Sequence, residues 1–146
     1  MFSPAPSREP SWQIMSNDST MYSRVGGEDF FEELTTRFYR AVAADPVLRP
    51  LYPEADDEFE QARQHLKWFL IQYWGGPTTY QDRRGHPRLR MRHFPFAIGV
   101  AERDAWFQHM SDAVRRASLR PLDEAQMLGY FSTAATALIN VAPDGG

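Results

Sequence analysis

Apolar residues recur at three- and four-residue intervals in four separate stretches of this chain, and nowhere do they alternate with polar ones over the length of a strand. That period belongs to helices with one buried face. From Glu28 to about Ala44, residues Phe30, Phe31, Leu34, Phe38 and Ala41 share a face. Asp45–Pro46 then interrupts the pattern, because the residue before a proline is pushed out of helical geometry. Phe59, Ala62, Leu66, Phe69 and Tyr73 form the second and clearest stripe. The acidic run Glu54, Asp56, Asp57 and Glu58 precedes it, suiting the positive end of a helix dipole, and Gly75–Gly76–Pro77 stops it. Trp106, Met110, Ala113 and Ala117 predict a helix from Asp104 to about Ser118, and Leu128, Phe131, Ala135 and Leu138 one from Asp123 to about Val141. Asp104 and Asp123 are the expected N-caps. The fold class expected is all-α, with four main helices.

Two regions depart from this pattern. Residues 1–20 hold three prolines among Ser, Asn and Asp, with no apolar period, and read as a flexible tail that Trp12 could anchor. Residues 21–142 then form a single folded domain, with 143–146 a flexible C-terminus. The stretch 75–92 carries Pro77, Gly85 and Pro87 and no sustained period. A loop of that length inside a small domain is uncommon unless it is functional. It also holds Arg83, Arg84, Arg88, Arg90 and Arg92 against Asp82 alone. Three readings suit this run: a solvated loop, a nucleic-acid patch, or a site for the carboxylates of a ligand, which the planar guanidinium fork binds with two donors. Gly26–Gly27 reads as a joint before the first main helix.

Composition removes several classes. With 146 residues the chain can bury about two-thirds of its surface, enough for a core and a small-molecule pocket. It has no cysteine, which excludes disulfides, thiolate-bound zinc or iron–sulfur centres and a thiol nucleophile, and fits a reducing compartment such as the cytoplasm. The net charge of −3 argues against a general nucleic-acid binder. No apolar run approaches the ~20 residues of a membrane span, and the N-terminus lacks the pattern of a secretory signal. The four histidines, His65, His86, His93 and His109, form no close metal pair; no serine lies in GxSxG, and no glycine loop continues into GK[ST].

The remaining chemistry gathers at Met91–Arg92–His93–Phe94–Pro95–Phe96, where a histidine with apolar residues on one side meets the basic loop. A histidine beside aromatics is ordinarily a hydrogen-bonded core residue. Against that stand large aromatics on the helical faces, including Phe31, Phe38, Tyr39, Phe59, Phe69, Tyr73 and Trp106. A flat apolar cofactor would be lined by such groups, and a macrocycle supplying four nitrogens of its own needs one strong ligand from the protein. Haem meets both conditions, and its propionates would take the arginines.

At this point the residues resemble a family. Arg37–Phe38–Tyr39, Asp45–Pro46–Val47–Leu48, Leu51–Tyr52–Pro53, Gln72–Tyr73–Trp74–Gly75–Gly76–Pro77, the run from Arg84 to His93, and Arg103–Asp104–Ala105–Trp106 together resemble a truncated haemoglobin of the second group, the actinobacterial-type "O" proteins. The resemblance spans about Met21 to Val141. It implies a shortened globin, a two-over-two helical sandwich around haem b (iron protoporphyrin IX), with an extended loop in place of most of the proximal helix and glycine hinges at 26–27 and 75–76. By position, His93 matches the proximal iron ligand. Arg92, Tyr80 and His65 match propionate contacts, and Leu66 and Phe69 fall against the cofactor. On the distal side, Tyr39 matches the tyrosine of the B helix, Tyr52 the start of the C–E segment and Trp106 the G-helix tryptophan. Ala62 falls where many globins carry a distal His or Gln.

This set has a physical logic. Ala62 has no donor, Trp106 has an indole N–H that only donates, and each tyrosine hydroxyl can donate or accept. Bound dioxygen gains partial negative charge, so donors favour it; carbon monoxide gains less. The resemblance implies reversible binding of dioxygen and related diatomic ligands with slow release, suited less to bulk oxygen transport than to sensing, scavenging or redox chemistry. Nitric-oxide dioxygenase-like or peroxidase-like turnover would need a reductase the chain does not encode. A homo-oligomer is compatible with these features. The competing class is a cofactor-free helical interaction module using the arginine-rich loop 83–92.

Overall fold

The computed structural model describes residues 20–86, 88 and 97–140. They form α1 (Met21–Val25), α2 (Glu28–Ala43), a single 3-10 turn (Arg49–Leu51), α3 (Asp56–Tyr73), α4 (Thr79–Arg84), α5 (Val100–Arg115) and α6 (Pro121–Ala137), with no strand among the described residues. Helix α2 packs on α3, α5 packs on α6, and contact between α2 and α5 joins the two pairs. The core lies where these faces meet. Phe31, Leu34, Phe38 and Val42 of α2 are fully buried there, with Met110 and Val114 of α5 and Met127 and Phe131 of α6. Burying each such side chain is worth about 1.5–3 kcal/mol.

The four stripes read from the sequence are the four long helices. Their starts differ from expectation in two places. Helix α5 begins at Val100, four residues before Asp104, because the Glu102 carboxylate accepts the Gly99 N–H at 2.8 Å and closes the first turn upstream. Helix α6 begins at Pro121, whose fixed φ suits a first helical position, with Arg120 at the cap. Asp123 is therefore inside the first turn, where it binds Arg24 of α1 at 3.0 Å. Nor is the connection after α3 irregular throughout. Thr79–Arg84 make a short helix, which places Arg83 and Arg84 on a helix end. Trp12 and most of the tail, and Arg90, Arg92 and His93, lie outside the described residues. Thr20 caps α1 through its side-chain oxygen, which accepts from the Ser23 N–H at 3.1 Å.

The turn after α3 shows why glycine stands at 75 and 76. Gly75 has φ +99°, and a Cβ on it would sit 2.8 Å from the Thr20 methyl. On Gly76 a Cβ would meet Ile71 at 2.6 Å and the Tyr22 ring at 2.7 Å. This close approach lets the Tyr22 N–H donate to the Trp74 carbonyl at 2.9 Å, so α1 is laced to the end of α3. No helix among the described residues is long and apolar enough to cross a membrane.

Candidate functional site

A cavity of about 320 Å³ opens between the two helix pairs. Helix α3 contributes Ala62, His65, Leu66, Phe69 and Leu70; α2 contributes Tyr39; the α2–α3 connection gives Leu48, Leu51, Tyr52 and Pro53. Trp106 comes from α5, Tyr130 and Phe131 from α6, and Tyr80 and Arg84 from α4. Every site residue expected from the sequence that falls among the described residues lines this one space: Tyr39, Tyr52, Ala62, His65, Leu66, Phe69, Tyr80 and Trp106. The other two, Arg92 and His93, lie outside those residues.

Each side chain is held by its neighbours. Tyr39 sits edge-on to Tyr52, with ring centroids 5.4 Å apart, and to Phe59 at 5.1 Å. Tyr52 follows the 3-10 turn, and Arg49 pins that turn down: its guanidinium lies 4.2 Å over the Phe59 ring and donates to the Pro53 carbonyl at 2.8 Å. Trp106 is wedged between Phe38, at 5.1 Å, and Phe131, at 5.8 Å. Edge-to-face contacts of this kind fix ring orientation as well as adding stability.

The polar groups of this wall are few and neutral. Burial raises the Tyr39 hydroxyl well above its ordinary value, and the neighbouring Tyr52 adds to the rise. Burial also pushes the Tyr52 hydroxyl up to about 12, partly opposed by the indole N–H of Trp106 beside it. Both phenols therefore stay protonated throughout the physiological range and keep a proton to donate. The Tyr39 side chain is 6% exposed and lines the cavity, and its hydroxyl bonds no protein group among the described residues. A cavity-lining hydroxyl of this kind can donate to, or accept from, a polar atom arriving there. Ala62 leaves room beside it and offers no hydrogen bond.

The opposite end is basic. Arg84 Nη1 lies 3.4 Å from His65 Nε2, and the Arg84 guanidinium lies 5.8 Å over the Tyr80 ring. Tyr80 is buried edge-on to Phe69. An apolar slot with hydroxyl and indole donors at one end and cations at the other fits a flat hydrophobic group carrying carboxylates. Sequence reasoning named Arg84 only within the arginine run, as one of several cations that could meet a ligand's carboxylates, and did not single it out. It missed Tyr130, which lies one position off the apolar stripe of α6. No group of three or more His, Cys, Asp or Glu side chains suited to holding a metal ion occurs among the described residues.

Residues 20–140 match the model of the bacterial-like globin family. The chain is 39% identical over 114 residues to the group 2 truncated hemoglobin YjbI of Bacillus subtilis, covering 78% of this chain and 84% of that one. Among solved structures it is similar to a thermostable hemoglobin from the actinobacterium Thermobifida fusca, with 56% identity and a TM-score of 0.80 over 84% of this chain and 98% of that one. A hemoglobin from the thermophilic phototroph Chloroflexus aurantiacus gives 48% identity, the same TM-score and the same coverages. The chain belongs to the bacterial-like globins, as a group 2 truncated haemoglobin. It is thus a globin-type haem protein that binds gaseous ligands in a truncated-globin fold. The reading as a cofactor-free interaction module gives way to this one.

Proposed function

We propose that the cavity holds haem b and binds dioxygen reversibly, releasing it slowly. The observation that carries this reading is the lining itself: an apolar slot onto which the Trp106 indole and the Tyr39 and Tyr52 hydroxyls converge, with Ala62 leaving the space among them open. The haem supplies the iron at which a diatomic gas binds. His93 is the proposed iron ligand. Leu66 and Phe69 lie against the macrocycle, and Tyr80, His65, Arg84 and Arg92 hold the propionates, where charge-assisted bonds are stronger than neutral ones. Trp106, Tyr52 and Tyr39 donate hydrogen bonds to a polar diatomic ligand, and the bulk of Trp106 narrows its way out. The proposed domain is 21–142, with 1–20 dispensable for haem binding. A cytoplasmic location suits the absence of cysteine.

Slow release makes storage, sensing or scavenging a better use than bulk delivery. Turnover of nitric oxide or peroxide at the same site needs an outside source of electrons, such as a separate reductase. The test is direct. Purified protein loaded with hemin should show a Soret band, and stopped-flow mixing of its oxygenated ferrous form with a competing ligand should give slow dissociation. His93→Ala should lose haem, whereas His65→Ala, His86→Ala and His109→Ala should keep the parent spectrum. An unaltered spectrum in His93→Ala would overturn that assignment, and fast dissociation would overturn the oxygen-retention reading.

A further inference from the structure

Tyr130 has no part in the ligand chemistry described above, yet it lines the cavity beside Phe131. Its ring stacks on Tyr73 with centroids 4.2 Å apart and planes 28° from parallel, the tightest ring pair among the described residues. Tyr73 itself is 52% exposed. The other five tyrosines of the chain are buried or half-buried. Trp74 braces the pair, edge-on to Tyr73 at 5.3 Å and to Tyr130 at 5.2 Å. An aromatic stack therefore begins at the cavity wall and ends in solvent.

Phenols and indoles are the side chains most readily oxidised by one electron without sulfur chemistry. Electronic coupling between rings falls steeply with the gap, so rings in contact exchange an electron most readily. A phenol that loses an electron also sheds its hydroxyl proton, and the radical settles where that proton can leave. Burial pushes the Tyr130 hydroxyl up to about 12, whereas solvent reaches Tyr73. Solvent contact at Tyr73 gives the departing proton an exit that half-buried Tyr130 lacks, so an oxidation begun at Tyr130 settles on Tyr73.

We propose that Tyr130 and Tyr73 form a one-electron relay from the cavity to the surface, through which peroxide reduced in the cavity draws electrons from phenolic donors at Tyr73. The proposal rests on the reading that the cavity holds haem. Hydrogen peroxide takes two electrons and two protons, its O–O bond breaks, and two waters form. Each electron leaves Tyr73 inward through Tyr130, and the Tyr73 hydroxyl proton passes to solvent, which supplies the protons taken up with peroxide. A phenolic donor then gives Tyr73 a hydrogen atom and departs as a phenoxyl radical. Two donors are oxidised per peroxide. Without a donor, Tyr73 radicals on two molecules couple ring to ring into a dityrosine bond; the ring hydrogen at each newly bonded carbon leaves as a proton and each phenolic oxygen takes one up, restoring both hydroxyls.

The experiment uses hemin-loaded full-length protein, checked by its Soret band and then treated with hydrogen peroxide. Rapid-freeze electron paramagnetic resonance should detect a tyrosyl radical. Denaturing gels should show a covalent dimer, and mass spectrometry should map its dityrosine link to Tyr73. Tyr73→Phe keeps the stacked ring, so its dioxygen-binding spectrum should be unchanged while the dimer is lost and guaiacol oxidation slows. Tyr130→Phe should weaken the dimer although Tyr73 is intact. A dimer that persists in Tyr73→Phe, or a link mapped to Tyr22 in the parent protein, overturns the relay alone. Failure to take up hemin overturns the haem reading, and the relay with it.

Discussion

The two faces of α3 use polar groups in opposite ways. Toward the cavity, the helix presents Ala62, Leu66 and Phe69 to a wall where, among the described residues, the Tyr39 hydroxyl bonds no protein group and the Tyr52 hydroxyl has the Trp106 indole alone. On its other side, Lys67 bonds Glu28 at 3.1 Å and Glu32 at 3.0 Å. Arg63 there bonds Glu32 at 3.2 Å, Glu60, and the Thr35 hydroxyl at 3.1 Å. Lys67 and Arg63 are nearly buried at 7% and 11% side-chain exposure, yet each has at least two acceptors. Burial works to lower the Lys67 ammonium, but its bonds to Glu32 and Glu28 outweigh that and hold it raised. A saturated ionic seam fixes α3 against α2. The sparsely bonded wall on the cavity side is left ready for a ligand. The difference teaches that polar satisfaction in this molecule separates the part that holds the fold from the part that works.

Substitutions can break that contrast. The largest effect on stability should come from Glu32→Ala, which strands two nearly buried cations at once. Charged hydrogen bonds are worth about 1.5–3 kcal/mol, but Glu32 is half exposed and Glu28 and Glu60 remain, so a loss of about 2 kcal/mol is expected. Thermal unfolding should register it as a fall of roughly 6–8 °C in Tm, with dioxygen dissociation unaltered. A changed dissociation rate would show that the two faces are coupled.

The wall should respond the other way. Trp106→Phe removes a donor and keeps most of the ring, so dioxygen dissociation should rise by roughly 2- to 13-fold, the equivalent of about 0.5–1.5 kcal/mol. Trp106→Ala should also speed association of both dioxygen and carbon monoxide, separating donor from gate by stopped flow and flash photolysis. If Tyr39→Phe or Tyr52→Phe raises dissociation strongly and Trp106→Phe does not, a tyrosine is the main donor.

The smallest effects sharpen the contrast through pH. Hydrogen bonding to Lys67 holds the Glu32 carboxyl below its usual range, and Arg63 does the same for Glu60. The folded state thus gives up these protons more readily than the unfolded chain. Their stabilisation is fully present above the unfolded value, about 4.3, and is lost as pH falls through the lowered folded values. Glu32→Gln should flatten that acid-side slope in urea titrations. Dioxygen dissociation should stay level from neutral to mildly alkaline pH, because burial keeps both wall tyrosines protonated.

Much of this was legible in the residues themselves. Period alone located the four long helices, because each buries one face. Caps were less legible: Asp104 and Asp123 have the chemistry of N-caps, but Glu102 and Pro121 act upstream of them. The wall was legible only through the family resemblance, since Tyr39, Tyr52, Ala62 and Trp106 are far apart in the chain and no local pattern joins them. The ionic seam went unread for the same reason. Arg63 and Lys67 look like the solvated side of an amphipathic helix until α2 is packed against it. The Tyr73–Tyr130 stack joins two helices whose spacing in sequence carries no sign of contact.

The ion pair between Arg24 and Asp123 spans 99 positions of the chain. Neither hairpin-like pair of helices can form it alone, since α1 is tied to the end of α3 and Asp123 lies in the first turn of α6. A contact of such sequence separation is expected to form late, after the helices have docked. Interactions absent from the folding transition state act mainly on unfolding. Arg24→Met should therefore steepen the escape from the native state while leaving the refolding arm of a chevron plot nearly in place. That would make this single contact a latch on the protein's lifetime rather than a guide to its folding.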